Sequence, residues 1–295
     1  MNLSLSRSFP IAKAALAAAV IACVVALTCS LTGCASGGTD SSSADADNTS
    51  ASTDGKTLRV AMELAYPPFE TKDDAGNPEG LAVDFIRDFG AAYGYDVQIE
   101  NTAWDGLIPS LQSDKADLFI SSMTITDERK QSVDFSDAYA MAQLAILANA
   151  DSGVASIDDL NQPGKKVAVK TGSTGDVYAT KNLTNAEIVR LADESACVTE
   201  VVQGKADGFL YDQLTIYRNH QANPDTTEAV FIPFQDAEEW GIAVKKGDTE
   251  LLDQLNAFIA QSKTDGEFDR LTEKYLADEK KAFDQYGFKW FFDFE

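Results

Sequence analysis

An α/β fold is predicted for this 295-residue chain on three observations. Short apolar runs with strand-like alternation are separated by longer stretches whose apolar residues recur at helical spacing. Two such series occur, divided by a Ser/Asp/Gly loop over 151–156. After the second series, Gly241 to Val244 reads as one more strand of the first. About 240 residues follow an N-terminal segment of different composition, enough for one large domain or two small lobes.

The N-terminal segment reads as a targeting signal rather than as part of the fold. Arg7 and Lys13 form a basic start, residues 14–30 are almost wholly apolar or small, and Leu31-Thr32-Gly33-Cys34 follows. That ending resembles a bacterial lipobox, which implies a lipoprotein signal peptide over 1–33 and lipidation of Cys34. The apolar run is shorter than the ~20 residues a membrane span needs. Two acyl chains give stable anchoring where one is marginal. Residues 35–56 hold Ser, Thr, Asp, Ala and Gly without a large apolar side chain, too little to order a core. They read as a tether of roughly 25 Å.

In the body, Leu58, Val60 and Met62 alternate as a first strand. Ala82, Phe85, Ile86, Phe89 and Tyr93 mark one face of a helix closed by Gly94. Val97 and Ile99 suggest a second strand, Leu107 to Leu111 opens a helix, and Leu118 to Ile120 is a third strand. The apolar run Leu144 to Leu147 leads into the second series. That series comprises strands at Lys166 to Val169, Glu187 to Leu191, Gly208 to Leu210 and Phe231 to Phe234, with a helix around Cys197. Helices carrying Leu251, Leu255 and Ile259, and then Phe268, Leu271 and Tyr275, follow the returning strand.

The stretch Asp117 to Tyr139 carries the most chemistry. Its strand ends in hydroxyls at Ser121, Ser122, Thr124 and Thr126. Asp127 and Glu128 then sit where a helix start favours negative charge. Arg129 follows at once, and a guanidinium beside free helix N–H groups suits a small carboxylate. Ser121 to Arg129 resembles the S-S/G-x-T-I-T-x-x-R signature of the family 3 extracytoplasmic solute-binding proteins, the polar amino acid receptors of ABC importers. Four segments keep that family's order: Tyr66-Pro67-Pro68-Phe69-Glu70, Trp104 to Pro109, Val167 to Gly175, and Gly208 to Asp212. The resemblance covers roughly residues 57–276. It implies a periplasmic-binding-protein-like fold of type II, two βα lobes joined by a two-strand hinge that closes like a Venus flytrap. Lobe 1 is then 57–142 with 239–276, lobe 2 is 143–238, and crossings near 140–145 and 235–240 act as hinges.

The resemblance also implies the site. Arg129 would grip an amino acid carboxylate with Thr124, Ser173 and Thr174, while Ser122 and Asp212 take the ammonium. Tyr66 and Trp104 would sandwich the aliphatic stem. Glu63 and Lys170, one acceptor-only and one donor-only group, would face the ligand side chain, the alternative being an ion pair between them that merely closes the lobes. A neutral amide satisfies both, so glutamine ranks first, ahead of cystine or another polar amino acid and then of a cationic one.

Charge and rare residues narrow the partners. Removing Arg7 and Lys13 with the signal leaves 22 basic side chains against 47 acidic, a net charge of −25. That excludes nucleic acid and attraction to anionic lipid, leaving lipidated Cys34 as the membrane attachment. Cys23 and Cys29 would leave with the signal, and Cys197 then stands alone, as a small buried hydrophobe. With His220 the only histidine, neither a Cys/His site nor a histidine-based metal site is expected, and no cofactor. Lys170 to Gly175 lacks the phosphate-loop spacing. The expected partners are an amino acid, an ABC permease and its ATPase, with the receptor a monomer. The alternatives are a dehydratase-like enzyme using Glu63 and Asp212 as acid and base, and a ligand sensor. Residues 277–295 pack seven aromatics beyond the usual family end and are expected to dock on lobe 1, the alternative being an exposed patch that contacts permease or membrane.

Overall fold

The structure, a computed structural model, describes residues 56–286 and 289–294. The signal, Cys34 and the tether expected from the sequence lie outside the described residues, apart from Lys56 at the tether's end.

The chain opens with strand β1 (Lys56–Met62), the small pair β2 (Thr71–Lys72) and β3 (Pro78–Glu79), helix α1 (Leu81–Tyr93) and strand β4 (Tyr95–Asn101). Helix α1 buries Leu81, Ala82, Val83, Phe85, Ile86 and Phe89 and stops at Gly94, whose φ of 75° suits a residue without Cβ. A 3₁₀ turn (Trp104–Gly106), α2 (Leu107–Gln112), β5 (Leu118–Phe119), the single turn α3 (Asp127–Lys130) and β6 (Val133–Phe135) follow. Strand β7 (Ala140–Ala142) leads into the second lobe. That lobe holds β8 (Leu144–Asn149), α4 (Ile157–Leu160), β9 (Lys166–Lys170), α5 (Thr174–Asn182), β10 (Glu187–Leu191) and α6 (Glu194–Val202). It continues with β11 (Gly208–Asp212), α7 (Gln213–Ala222) and β12 (Thr227–Val230). The chain returns through β13 (Glu238–Trp240) to β14 (Ala243–Lys245), α8 (Thr249–Ser262), α9 (Glu267–Tyr275) and α10 (Ala277–Tyr286).

Each lobe is built on a five-stranded mixed sheet. The first has the order β4-β1-β5-β14-β6, with β1 parallel to β4 and β5, and β14 antiparallel to β5 and β6. The second has the order β10-β9-β11-β8-β12, with β9 parallel to β10 and β11. Strands β7 and β13 pair antiparallel as a separate ribbon between the lobes, Ala140 opposite Trp240 and Ala142 opposite Glu238. Val60, Met62, Phe85, Phe89, Leu118 and Ile120 anchor one core of the first lobe. The second lobe packs both sheet faces, Phe209 and Cys197 on one side, Val167, Val169 and Leu210 on the other.

Two expectations are corrected. The last strand of the second lobe is Thr227–Val230, not Phe231 to Phe234. Pro233 has no N–H to donate, and Phe234 is instead a loop residue 4.9 Å from the Tyr178 ring. The true strand holds only Ala229 and Val230 as apolar residues, too few for periodicity to register. The helix opened by Asp127 is a single turn, so it offers little of a helix dipole.

After the last helix of the first lobe, the chain packs back onto it. Phe283 and Phe291 are fully buried and Trp290 nearly so, in the same core as Phe69 and Trp240.

Candidate ligand site between the lobes

In open-faced α/β sheets, ligands collect where the carboxyl ends of parallel strands converge. Here β1 runs out to Glu63 and Tyr66, β4 to Trp104, and β5 to the Ser121–Thr124 hydroxyls. From the facing lobe, β9 delivers Lys170 and the 172–174 loop, and β11 delivers Asp212. Gly175 makes part of this possible, since a Cβ there would lie 2.5 Å from the Leu210 carbonyl oxygen. Glycine lets the start of α5 lie against β11. The result is a cleft holding about 450 Å³ of space, part of it open to solvent.

Of the ten site residues named from sequence, nine line this cavity: Glu63, Tyr66, Trp104, Ser122, Thr124, Arg129, Ser173, Thr174 and Asp212. Lys170 does not line it. Ser121, Leu144, Tyr211, Glu238 and Trp240 complete the walls and were not anticipated.

Arg129 spans the cleft. Thr126 caps its turn by accepting the Arg129 N–H at 3.2 Å. The guanidinium donates to the Thr124 carbonyl at 2.7 Å and across the cleft to the Gly172 carbonyl at 3.0 Å, and lies 5.5 Å from the Trp104 ring. Burial pulls its pKa down and Glu238 opposes the shift. It stays a cation in either case, with N–H groups to spare for an anion.

The hydroxyls are less free than the sequence suggests. Thr124 and Thr174 each donate to one oxygen of Glu238 at 2.8 Å, so their single protons are committed there. Ser173 caps α5, its oxygen accepting the Asp176 N–H at 3.2 Å. The hydroxyl support expected for a carboxylate from Thr124 and Thr174 is therefore corrected: toward the cavity these two show lone pairs. Ser122 sits at φ 49°, a conformation non-glycine residues seldom adopt and one enriched at functional sites. Its hydroxyl donates to Glu70 at 3.1 Å, which leaves an acceptor for an N–H.

Asp212 ends β11 and caps α7. One oxygen accepts the Leu214 and Thr215 N–H groups at 2.9 and 3.1 Å, and the other accepts the Thr215 hydroxyl at 2.8 Å. Burial raises its pKa, against those hydrogen bonds. Tyr66 stacks on Phe69 at 5.5 Å and meets Tyr211 and Trp240 edge-on, so its ring belongs to both core and cavity wall.

Glu63 and Lys170 do not stand apart as acceptor and donor for a ligand. They form an ion pair with each other across the lobes, with side chains 13% and 4% exposed, and the Lys170 ammonium lies 4.9 Å from the Trp104 ring. Two long opposite charges facing each other across a closed cleft meet unless something intervenes. Behind this pair sit further carboxyls. Burial drives Glu70 well above its usual range and pushes Glu194 up to about 8, the latter aided by Asp212. One Glu194 oxygen is buried without a hydrogen-bond partner among the described residues. Glu70 stood in a quoted motif but was given no role. Glu194 had no signal beyond its place at a helix start, and Glu238 none beyond the predicted hinge crossing.

The arrangement brings a guanidinium, a buried carboxyl group and hydroxyl acceptors to the walls of one cleft. The rings of Tyr66, Trp104, Tyr211 and Trp240 line the same cavity.

Comparison with known proteins agrees in kind. The chain is 36% identical over 228 residues to the "Probable histidine-binding protein" of Neisseria gonorrhoeae, covering 76% of this chain and 85% of that one. It is 34% identical over 253 residues to the L-arginine-binding protein of Pseudomonas aeruginosa, covering 79% and 90%. Among solved structures, an ancestral amino acid-binding protein described as a precursor of cyclohexadienyl dehydratase superposes with a TM-score of 0.68. That pair is 38% identical and covers 74% of this chain and 94% of the other. Residues 58–278 match the family described as bacterial extracellular solute-binding proteins, family 3. The chain belongs to that family of extracytoplasmic, non-enzymatic binding proteins.

Proposed function

We propose that this protein is a lipid-anchored amino acid receptor, held to the outer face of the membrane through Cys34, that hands its ligand to an ABC importer. The observation that carries the reading is the cavity itself, lined by Arg129 and by Asp212 and Ser122. Arg129 and main-chain N–H groups hold the α-carboxylate, Asp212 and Ser122 the α-ammonium, and Tyr66 and Trp104 enclose the stem. Micromolar affinity, about −8 kcal/mol, is ~0.7 kcal/mol per atom for a ligand of about ten to twelve heavy atoms. That lies within the ceiling of ~1.5 for tiny ligands, and it requires enclosure on all sides, which couples binding to closure.

The side chain we propose is cationic: arginine, lysine or histidine. Glu63, Asp212 and Glu238 line the cavity against one cation, Arg129, while Glu194 and Glu70 stand behind. Lys170 is already paired with Glu63. A ligand cation supplies the missing positive charge. Relatives named for histidine and arginine support this order over glutamine. A neutral amide remains a second reading on one observation, the Glu63–Lys170 pair, which cancels the charge nearest the stem.

A thermal-shift screen against all amino acids and cystine tests both, since a ligand stabilises by RT ln(1 + [L]/Kd). Arginine, lysine or histidine should give the largest shift. A shift with glutamine and none with the cations selects the amide, and no shift with any amino acid refutes the receptor reading.

A further inference from the structure

We infer that Glu238, on hinge strand β13, is a positioning residue that couples the carboxylate end of the cavity to lobe closure. The inference rests on the ligand-site reading above and adds to it a residue that neither motif nor periodicity marked.

Glu238 gathers hydrogen bonds from three places. Its Oε2 accepts the Thr124 hydroxyl from the first lobe and the Thr174 hydroxyl from the second, each at 2.8 Å. Its Oε1 accepts the Gln235 side-chain amide at 2.7 Å, and the Gln235 carbonyl in turn accepts from Gln143 at the entry to the second lobe. The carboxylate thus bridges both lobes from the strand that joins them.

Its two threonine contacts are mechanically unlike. The backbone around Glu238 is zipped to the segment carrying Thr124: the Ile125 N–H donates to the Glu239 carbonyl at 2.7 Å, and the Gly241 N–H to the Met123 carbonyl at 3.1 Å. Thr124 and Glu238 therefore move as one body with the first lobe. Thr174 rides on α5, whose strand β9 belongs to the other sheet. Opening the cleft must break the Thr174 contact and can leave the Thr124 contact intact. Beside it, Arg129 donates to the Gly172 carbonyl of the same second-lobe loop. A carboxylate and a guanidinium fixed to the first lobe thus grip residues 172 and 174 together, at the place where the ligand carboxylate arrives.

The chemistry follows from proton count. By accepting the one proton of each threonine, Glu238 keeps Thr124 and Thr174 from donating to the ligand. The α-carboxylate is left to Arg129 and main-chain N–H groups, whose spacing depends on how the 172–174 loop is held. Glu238 acts on the ligand through that loop.

A double-mutant cycle tests this. In calorimetry with the tightest ligand from the screen, E238A and T174V should each weaken binding about tenfold, and the combined variant no more than either alone. Small-angle scattering of ligand-free E238A should show a larger open fraction, while its unliganded melting temperature stays near that of the parent. E238Q keeps the shape and one acceptor oxygen, and should lose about threefold. It also reads the effect if E238A melts without cooperativity. Affinity within twofold of the parent for E238A and E238Q, or losses that add in the combined variant, overturns the inference. An R129A control separates the two levels: binding intact in R129A refutes the site reading, whereas binding lost in R129A but unchanged in E238Q refutes the Glu238 inference alone.

Discussion

The two faces of the hinge ribbon differ in kind. On the cleft side, Thr124, Thr174, Glu238 and Arg129 meet through hydrogen bonds, each net worth about 1 kcal/mol. On the back, the contact is aromatic. Phe291 lies 5.1 Å from Phe69 and 5.5 Å from Trp240, Phe283 meets Tyr217 edge-on at 5.9 Å, and the Met141 N–H of β7 donates to the Phe291 carbonyl at 2.7 Å. Arg218, from the second lobe, pairs with Glu279 at 2.9 Å and also donates to the Pro67 carbonyl of the first. Trp240 belongs to both faces, lining the cavity and packing on Phe291. Exchangeable polar bonds thus surround the ligand cavity, and area burial ties the chain's last aromatics to the same ribbon through Trp240. Binding and stability are carried by different contacts.

Four changes break or sharpen that division. Phe291→Ala removes a fully buried ring and should cost about 3–5 kcal/mol in chemical denaturation. Its ligand affinity should fall far less than its stability; equal losses would merge the two faces. Arg129→Ala does the opposite: binding measured by calorimetry should weaken at least 100-fold, about 2.7 kcal/mol, with the denaturation midpoint almost unchanged. An unchanged Kd in that variant would remove Arg129 from the site.

The third is a pH dependence. Burial holds Glu194 at about 8, so near neutral pH the empty receptor carries it largely protonated. A bound cation favours the ionised form and lowers that pKa, so binding releases a proton. Affinity for arginine should therefore rise several-fold between pH 6.5 and 8.5 and level off above. Glu194→Gln should flatten the slope, and a neutral ligand should show none. The smallest effect is expected on the back: Arg218→Ala breaks a partly exposed ion pair and should cost under about 1 kcal/mol. A larger loss would mean the lobes are held together behind the hinge as firmly as in front.

The strand ends were the legible part of this molecule. Alternation at Leu58, Val60 and Met62 and the apolar run at Leu118 placed two neighbouring strands, and their carboxyl ends carry Glu63 and Ser122. Residues following directly on a recognisable strand are within reach of periodicity, whereas the roles of Ser173 and Asp212 come from the family resemblance. Glu238 was not within reach, because it lies on a three-residue ribbon whose pairing with β7 leaves no periodic trace. The Glu63–Lys170 pair failed differently. The sequence offers both roles, facing the ligand or pairing to close the lobes, and a linear pattern cannot choose between them for two side chains 107 residues apart. The same limit applies to Thr124 and Thr174, whose hydroxyls were read by type while their protons had already been claimed by a third residue.

The late return of β14 bears on how the chain reaches this shape. The second lobe is one unbroken stretch, β8 through β12, and its contacts can form as soon as that stretch is free. The first lobe has no such independence. β14 sits inside its sheet, between β5 and β6, and α8 through α10 come later still. A chain threaded outward from its N-terminus therefore presents β5 and β6 long before their shared neighbour arrives. During that interval the sheet has an open edge where β14 belongs, a template for mispairing. The insertion that makes a hinge with two crossings also makes the first-born lobe the last to be finished.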